Sequence, residues 1–221
     1  MATFQVQVED MGGTVGGDSS DTTALTSFLT DGAKAVINHM PPGLLRLCAS
    51  EVTFTPQAVG SESSASTLNT ANIFNVRRND GTIDQPCRLI RTSLKGRASD
   101  PDDMDYATAT DPVYYIESNF LNILPSSSSA VGKYSEVQYP AVAYGDSSIT
   151  LFPDELESLV VLYAAMKGME RIITDTVGTD EDIELGQVRK DQYTWLANQY
   201  TSGLQNMMGV PVGGAGGGGA R

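Results

Sequence analysis

The chain has 221 residues, of which 40% are hydrophobic and 19% charged, and its net charge is −13. This composition is typical of a globular protein, either one domain or a domain with a subdomain, and it excludes an intrinsically disordered chain. A free nucleic-acid-binding protein would normally carry the opposite charge, and the sequence shows neither a secretory signal nor a transmembrane run.

The first 20 residues are predicted to form an N-terminal arm with weak local structure. Residues 4–8 (FQVQV) alternate between apolar and polar with a period of two, which favours a strand. A short helix ending at Gly12-Gly13 is the alternative.

Helical periodicity predicts three longer helices, over residues 22–39, 152–174 and 183–208. Ser20 or Asp21 is the expected N-cap of the first helix. The second is apolar on every side between Leu159 and Met166, which is typical of a helix buried by several neighbours. We therefore expect it to be the central helix of a bundle, followed by an acidic loop over residues 175–182.

Between these helices the period changes, and short runs rich in Val, Ile, Phe, Tyr and Thr alternate with turn residues. The predicted strands are 45–55, 73–78, 87–90, 113–118, 122–124 and 136–139. Asn79-Asp80-Gly81 predicts a hairpin, and residues 57–70 predict a Ser-rich loop. Segments 113–124 and 134–141 are expected to form the last hairpin of a small antiparallel sheet.

The predicted fold class is therefore α+β: a bundle of about three to four helices with an inserted small antiparallel β subdomain and an extended C-terminal tail. The expected division is an N-terminal arm (1–20), the helix bundle (21–43 plus 145–208), the β subdomain (44–144) and a glycine-rich tail (209–221).

The C-terminal tail is predicted to dock on a partner. Val210, Pro211 and Val212 suit an extended segment along an exposed edge, and Arg221 suits an acidic site. A disordered terminus is the alternative, because polyglycine has no core of its own.

The sequence lacks the residues from which most catalytic sites are built. The one histidine, His39, follows a helical segment beside prolines and is interpreted as a partner of the helix dipole. No phosphate-binding or nucleophile motif occurs. Cys48 and Cys87 are expected to be reduced thiols, with a disulfide as the alternative. We expect no catalytic residue, no cofactor and no metal.

An acidic run, Asp100, Asp102, Asp103 and Asp105, is interpreted as a solvated loop. A hard-cation site is the less favoured alternative, because no glycine or distal glutamate completes a calcium loop.

Six of the 14 Lys and Arg residues lie within one short stretch of the β region. They are Arg77, Arg78, Arg88, Arg91, Lys95 and Arg97. The favoured interpretation is a set of exposed strand residues that balance nearby aspartates. The functional alternative is a positive edge that meets an acidic neighbouring copy, or nucleic acid.

The order of the elements along the chain resembles that of a known protein family. After a helix and short strands come Val113-Tyr114-Tyr115-Ile116, then Leu124-Pro125, residues 137–139 (VQY), and Phe152-Pro153-Asp154-Glu155 at the start of the apolar helix. This order resembles the head-to-tail adaptors (connectors) of tailed bacteriophages, the family of tail tubular protein A. The likeness covers roughly residues 20–208 and is most specific over 113–174, and the long Ser-rich β region departs from it.

The resemblance implies a virion structural protein of the neck, made in the host cytoplasm, that forms a ring of usually twelve copies. Its implied partners are the portal protein, a tail or nozzle protein, further copies of itself, and genomic DNA that passes through the lumen without specific binding; no membrane is involved. Another neck or tail-completion protein, such as a stopper, is the alternative. A metal-dependent hydrolase built on Asp100–Asp105 is the alternative from a different class.

Overall fold

The computed structural model describes residues 2–12, 21–56, 66–68, 72–127, 129–179 and 183–209. The chain is mixed α+β, as predicted. It divides into two compact units. The helical unit comprises Met1–Cys48 with Tyr139–Arg221, and the β unit comprises Ala49–Gln138.

Six helices occur in the described residues. They are α1 (Phe4–Gly12), α2 (Thr22–His39), α3 (Pro42–Leu45), α4 (Lys95–Ser99), α5 (Glu157–Thr179) and α6 (Ile183–Met207). In the helical unit α5 packs against α1, α2 and α6. Within the described residues, no helix is long and apolar enough to cross a bilayer.

Helix α2 begins and ends where the sequence predicts. The Asp21 carboxylate accepts a hydrogen bond from the backbone N–H of Ala24 at 3.0 Å, so Asp21 is the N-cap. Gly32 allows α2 to lie close to α5, since a Cβ atom there would be 3.0 Å from the ring of Tyr163. The buried side of α2 consists of Leu25, Leu29, Ala33, Val36 and Ile37.

Residues 4–8 are helical, so the strand interpretation is wrong and the short-helix alternative is confirmed. Phe4 and Val8 are fully buried, whereas Val6 between them is 44% exposed. Apolar residues four apart share one helical face, and this burial outweighs the period-two alternation. The predicted arm over residues 1–20 thus begins with a packed helix, and its residues 13–20 lie outside the described residues.

Helix α5 lies further along the chain than the predicted 152–174, because it begins only at Glu157, after a 3₁₀ turn over Asp154–Leu156. Its backbone stays helical to Thr179, so the predicted loop over 175–182 is wrong as far as that residue. No proline interrupts the hydrogen-bonded turns in this stretch, which explains the continuation. Residues 180–182 lie outside the described residues.

The β unit is shorter than the predicted insertion over 44–144. On its N-terminal side, α3 and a 3₁₀ turn precede it, and the buried Cys48 thiol contacts the Met40 sulfur at 3.6 Å. On its C-terminal side, the Tyr139 hydroxyl donates a hydrogen bond to the Asn38 side chain at 2.6 Å. These flanking residues therefore belong to the helical unit.

Eight strands form two sheets in the described part of the β unit. They are β1 (Ala49–Phe54), β2 (Ser66–Thr67), β3 (Ile73–Asn79), β4 (Asp84–Pro86), β5 (Arg88–Leu89), β6 (Val113–Glu117), β7 (Phe120–Leu124) and β8 (Val131–Val137). The strand orders are β1-β8-β3-β4 and β2-β7-β6-β5. The prediction of one antiparallel sheet is therefore wrong, and β5 pairs with β6 in parallel.

The predicted last hairpin is also wrong. Strands β6 and β7 pair with each other through the two-residue turn Ser118-Asn119, and both residues have positive φ (51° and 68°). Such a turn matches the twist of the two strands, so they form a hairpin on their own. Strand β8 lies between β1 and β3 in the other sheet. The hairpin predicted at Asn79-Asp80-Gly81 is confirmed as β3–β4. Of the predicted loop over 57–70 the structure describes only 66–68, which include β2.

Both faces of the β6–β7 sheet are covered. One face packs against the other sheet. The two sheets share a buried cluster of Leu68, Val76, Leu121, Ile123 and Tyr134. The opposite face packs on α4 and the segment after it, in a cluster of Ala98, Ala107, Val113 and Leu124. The β6–β7 sheet is therefore buried on both sides, by the other sheet on one face and by the α4 segment on the opposite face.

Candidate interaction surfaces

A network of charged side chains spans all four strands of the β1–β8–β3–β4 sheet. The Arg77 guanidinium lies 2.6 Å from Glu51 and 3.6 Å from Asp84, and the Lys133 ammonium lies 3.3 Å from Asp84. The amide of Asn79 also donates to Asp84, and this bond is the main cause of a lowered Asp84 pKa. Two cations thus face two carboxylates, so the network adds no net charge to this surface.

The basic residues of the neighbouring segment are paired as well. The Arg88 guanidinium lies 3.1 Å from Asp111, and the Lys95 ammonium lies 2.8 Å from Glu117. Exposed pairs of this kind contribute little to stability. They do cancel the positive field that these side chains would otherwise present.

Arg97 pairs with the acidic run that follows α4. Its guanidinium lies 2.9 Å from Asp103 and 3.1 Å from Asp105. The hydrogen bond from Arg97 is the largest cause of a lowered Asp103 pKa. The Asp100 carboxylate accepts the backbone N–H of Asp102 at 3.0 Å, as expected in a tight turn. Among the described residues no three His, Cys, Asp or Glu side chains come together as ligands for a metal ion.

Arg78 is buried, contrary to the expectation that the basic residues are exposed. It is only 4% accessible, its Nε donates to the carbonyl of Pro125 at 3.0 Å, and its Nη1 has no hydrogen-bond partner among the described residues. It shares the inward side of β3 with Val76. Burial raises the pKa of the neighbouring Cys87 thiol to about 12, and the Arg78 charge acts in the opposite direction. This thiol is therefore protonated at neutral pH.

Four of the six predicted patch residues (Arg77, Arg88, Lys95 and Arg97) thus lie beside carboxylates. Arg91 is exposed, and the described part of the chain shows no ion pair for it. The arrangement favours the interpretation of basic residues that balance nearby aspartates. Binding of a partner at these residues stays a prediction.

The remaining reactive side chains lie apart. The Nδ1 of His39, at the exposed end of α2, is 2.7 Å from the carbonyl oxygen of Ala35, to which it donates. Such a position matches the predicted interaction with the helix terminus. Both cysteines are free, and burial raises the pKa of the Cys48 thiol to about 11.

Helix α6 has one packed side and one uncovered side. Leu196 and Leu204 are buried, and the Tyr200 ring meets the Tyr163 ring of α5 edge-to-face with a centroid distance of 5.7 Å. Away from this side, Val188 is 63% exposed and Trp195 is 53% exposed.

Val188, Trp195 and Leu196 are all apolar residues of this amphipathic helix, but of these three the structure buries only Leu196. The sequence spacing does distinguish Val188 and Trp195 from Leu196. Val188 and Trp195 are seven residues apart, which defines a line along the helix about 100° away from Leu196.

The predicted docking residues Val210, Pro211, Val212 and Arg221 lie outside the described residues, which end at Gly209. Their role stays a prediction.

Comparison of the chain with protein-family models gave no match, and a search of curated proteins gave none either.

Proposed function

We propose that this protein is a virion structural protein, a head-to-tail adaptor that forms a ring between portal and tail in the neck of a tailed bacteriophage. The observation that carries the proposal is the order of parts along the chain. A helical unit is built from two separated segments, Met1–Cys48 and Tyr139–Arg221, and a β unit, Ala49–Gln138, comes between them. This is the order of parts in the family that the sequence resembles.

The same proposal assigns a role to each part of the chain. Helices α1, α2 and α6 around α5 act as the bundle, the β unit faces the tail or nozzle protein, and residues 209–221 extend towards the portal protein. Twelve copies, the usual number in this family, form the ring, and the protein has no catalytic role.

The charges support a channel through which DNA passes without binding. The net charge of −13 repels phosphate. The ion pairs of Arg77, Arg88, Lys95 and Arg97 lower the number of free cations on the described β surface. Phosphate contacts by Lys and Arg are what make nucleic-acid binding tight, so their neutralisation favours sliding.

The test is to mix the purified protein with its portal protein and to examine the mixture by negative-stain microscopy and sedimentation. We expect a ring seated on the portal. A variant that lacks residues 209–221 should melt at the wild-type temperature but should no longer join the portal. Failure of the full chain to bind the portal would contradict the proposal. Binding to the tail or nozzle protein alone would indicate a stopper instead.

A further inference from the structure

The dipeptide Asp-Gly occurs at two positions of the chain, Asp31-Gly32 and Asp80-Gly81. An aspartate before glycine can react with its own backbone, because glycine has no side chain to obstruct the amide nitrogen that follows the aspartate. The two positions have different structures. Asp31-Gly32 lies inside α2, whereas Asp80-Gly81 lies in the loop that joins β3 to β4.

In the β3–β4 loop, side chains accept the backbone N–H groups that follow Asn79 and Asp80. The N–H of Gly81 donates to Oδ1 of Asn79 at 2.6 Å. The N–H of Thr82 donates to Oδ1 of Asp80 at 3.1 Å, which turns the Asp80 carboxyl towards the backbone that follows it. Asp80, Gly81 and Thr82 are all exposed, and Gly81 has a φ of 102°, which is open to glycine. The carboxyl of Asp80 therefore lies beside an accessible amide nitrogen.

Helix α2 prevents the same approach at Asp31. Side chains of a helix tilt towards its N-terminus, so the Asp31 carboxyl points away from the amide nitrogen of Gly32. Gly32 is buried, and a Cβ atom there would be 3.0 Å from the ring of Tyr163. This turn of α2 must therefore open before Asp31 can reach the next nitrogen.

We propose that Asp80-Gly81 is a site of spontaneous isomerisation to isoaspartate and that Asp31-Gly32 is not. The nitrogen of Gly81 attacks Cγ of Asp80. A C–N bond forms, the Cγ–OH bond breaks, and the hydroxyl leaves with the amide proton as water. The five-membered succinimide then takes up one water molecule. Addition at Cγ restores aspartate, and addition at the backbone carbonyl gives isoaspartate, so the mass does not change and water is the only co-reactant.

Isoaspartate lengthens the backbone of the loop by one carbon atom. The Asn79 side chain closes this hairpin, because its amide donates to Asp84 at 2.6 Å while its carbonyl oxygen accepts the N–H of Gly81. A longer backbone between Asn79 and Asp84 misaligns these bonds. The product should therefore weaken the pairing of β3 with β4.

The experiment ages the full-length protein for several weeks at physiological temperature. Trypsin then releases residues 79–88 as one peptide, because Arg78 precedes it and Arg88 ends it. Chromatography separates the two isomers of equal mass, and fragmentation identifies the altered residue. We expect isoaspartate to form ~10-fold or more faster at Asp80 than at Asp31, because α2 must open first. In urea that unfolds the chain, the two rates should become similar.

Two variants provide the block and its matched control. Asp80→Glu keeps the charge but would have to form a six-membered ring, so its residue 80 should stay unmodified. Asp31→Glu should form isoaspartate at Asp80 like the wild type. Ageing should lower the melting temperature of the wild type and of Asp31→Glu, and should leave that of Asp80→Glu unchanged.

Absence of isoaspartate at Asp80 after ageing would overturn the inference, and so would equal rates at Asp80 and Asp31 in the folded protein. An isomer of residues 79–88 in Asp80→Glu would place the reaction at Asp84 and would overturn it as well. A melting temperature that ageing leaves unchanged would overturn the expected effect on the hairpin. Portal binding by freshly prepared protein judges the adaptor proposal separately.

Discussion

At the scale of single residues, Gly203 decides how closely α6 approaches α5. A Cβ atom at this position would overlap Cδ2 of Leu159, which is itself buried. At Gly186, in the same helix, no atom of the described residues, apart from the helix's own neighbouring backbone, lies within 4 Å of the corresponding position. Substitution of Gly186 therefore tests helix propensity alone, whereas substitution of Gly203 also tests the close packing of α6 on α5.

We predict opposite effects for alanine at these two positions. Gly186→Ala should raise the free energy of unfolding by about 0.5–1 kcal/mol, because alanine is the better helix former. Gly203→Ala should be less stable than Gly186→Ala by about 1–3 kcal/mol, because the added methyl group overpacks the contact with Leu159. Thermal and urea denaturation measure both. Equal stability of the two variants would contradict the close approach of α5 and α6.

A second residue-scale prediction concerns Asp21 at the start of α2. Its carboxylate accepts the Ala24 N–H and pairs with Arg171, and these contacts lower its pKa below 3.8. A lowered folded-state pKa contributes stability that is present above the unfolded pKa and is lost as the pH falls through the folded pKa.

Asp21→Asn should keep the cap but lose this pH dependence. We expect the wild type to melt at a higher temperature than Asp21→Asn at pH 7, and the difference to shrink as the pH falls below 4. Thermal melts recorded from pH 7 to pH 2 measure it. A difference that is the same across this range would show that the Asp21 charge contributes nothing to folding.

Arg78 shows what the sequence does not reveal at this scale. Arginine is seldom fully buried, so a cluster of six basic residues predicts a shared exposed surface. The alternation of β3 places Arg78 on the same side as Val76, and the strand buries that side. Which side of a short strand faces the core depends on its partner strands, and the local sequence does not specify them.

At the scale of elements, α1 ties the N-terminus to the helical unit. The backbone N–H of Phe4 donates to the carbonyl of Asp146 at 2.8 Å, and that of Gln5 donates to the carbonyl of Tyr144 at 3.0 Å. Together with the burial of Phe4 and Val8, these bonds make α1 a structural part of the unit.

We therefore predict that Phe4→Ala lowers the free energy of unfolding by about 3–5 kcal/mol, because it leaves a cavity against α5. Val6→Ala, in the same helix, should change it by less than about 0.5 kcal/mol, since this side chain is partly in water. Chemical denaturation of the two variants provides the comparison. A Phe4→Ala variant as stable as Val6→Ala would mean that residues 1–12 behave as the arm predicted from sequence.

Long elements with clear stop signals were predictable, and short ones were not. The bounds of α2 follow from a helical period, an aspartate cap and two prolines, and all three signals are local. The β6–β7 hairpin was missed because its turn, Ser118-Asn119, is a weaker signal than Asn-Gly. The uncovered side of α6 was missed because a line of apolar residues shows amphipathicity but not which line meets a neighbour.

At the scale of the whole molecule, the β unit begins and ends at neighbouring positions of one sheet. Ala49 at the start of β1 pairs with Val137 at the end of β8. Paired residues of adjacent antiparallel strands lie about 5 Å apart, so the chain enters and leaves the unit at one place. The unit also has its own cores, one of which includes Leu121, Ile123 and Tyr134.

These features predict that residues 49–138 fold by themselves. The fragment should show the circular dichroism of a β protein and a single cooperative melting transition, because its 90 residues contain complete cores and adjacent ends. Tyr134→Ala should lower its free energy of unfolding by about 3–5 kcal/mol, since that ring is only 1% exposed and its removal leaves a cavity. Val131→Ala, an exposed site in the same strand, is the matched control and should change stability by less than about 0.5 kcal/mol. A fragment that melts without cooperativity, or that tolerates Tyr134→Ala as well as Val131→Ala, would show that the β unit depends on the rest of the chain for its core.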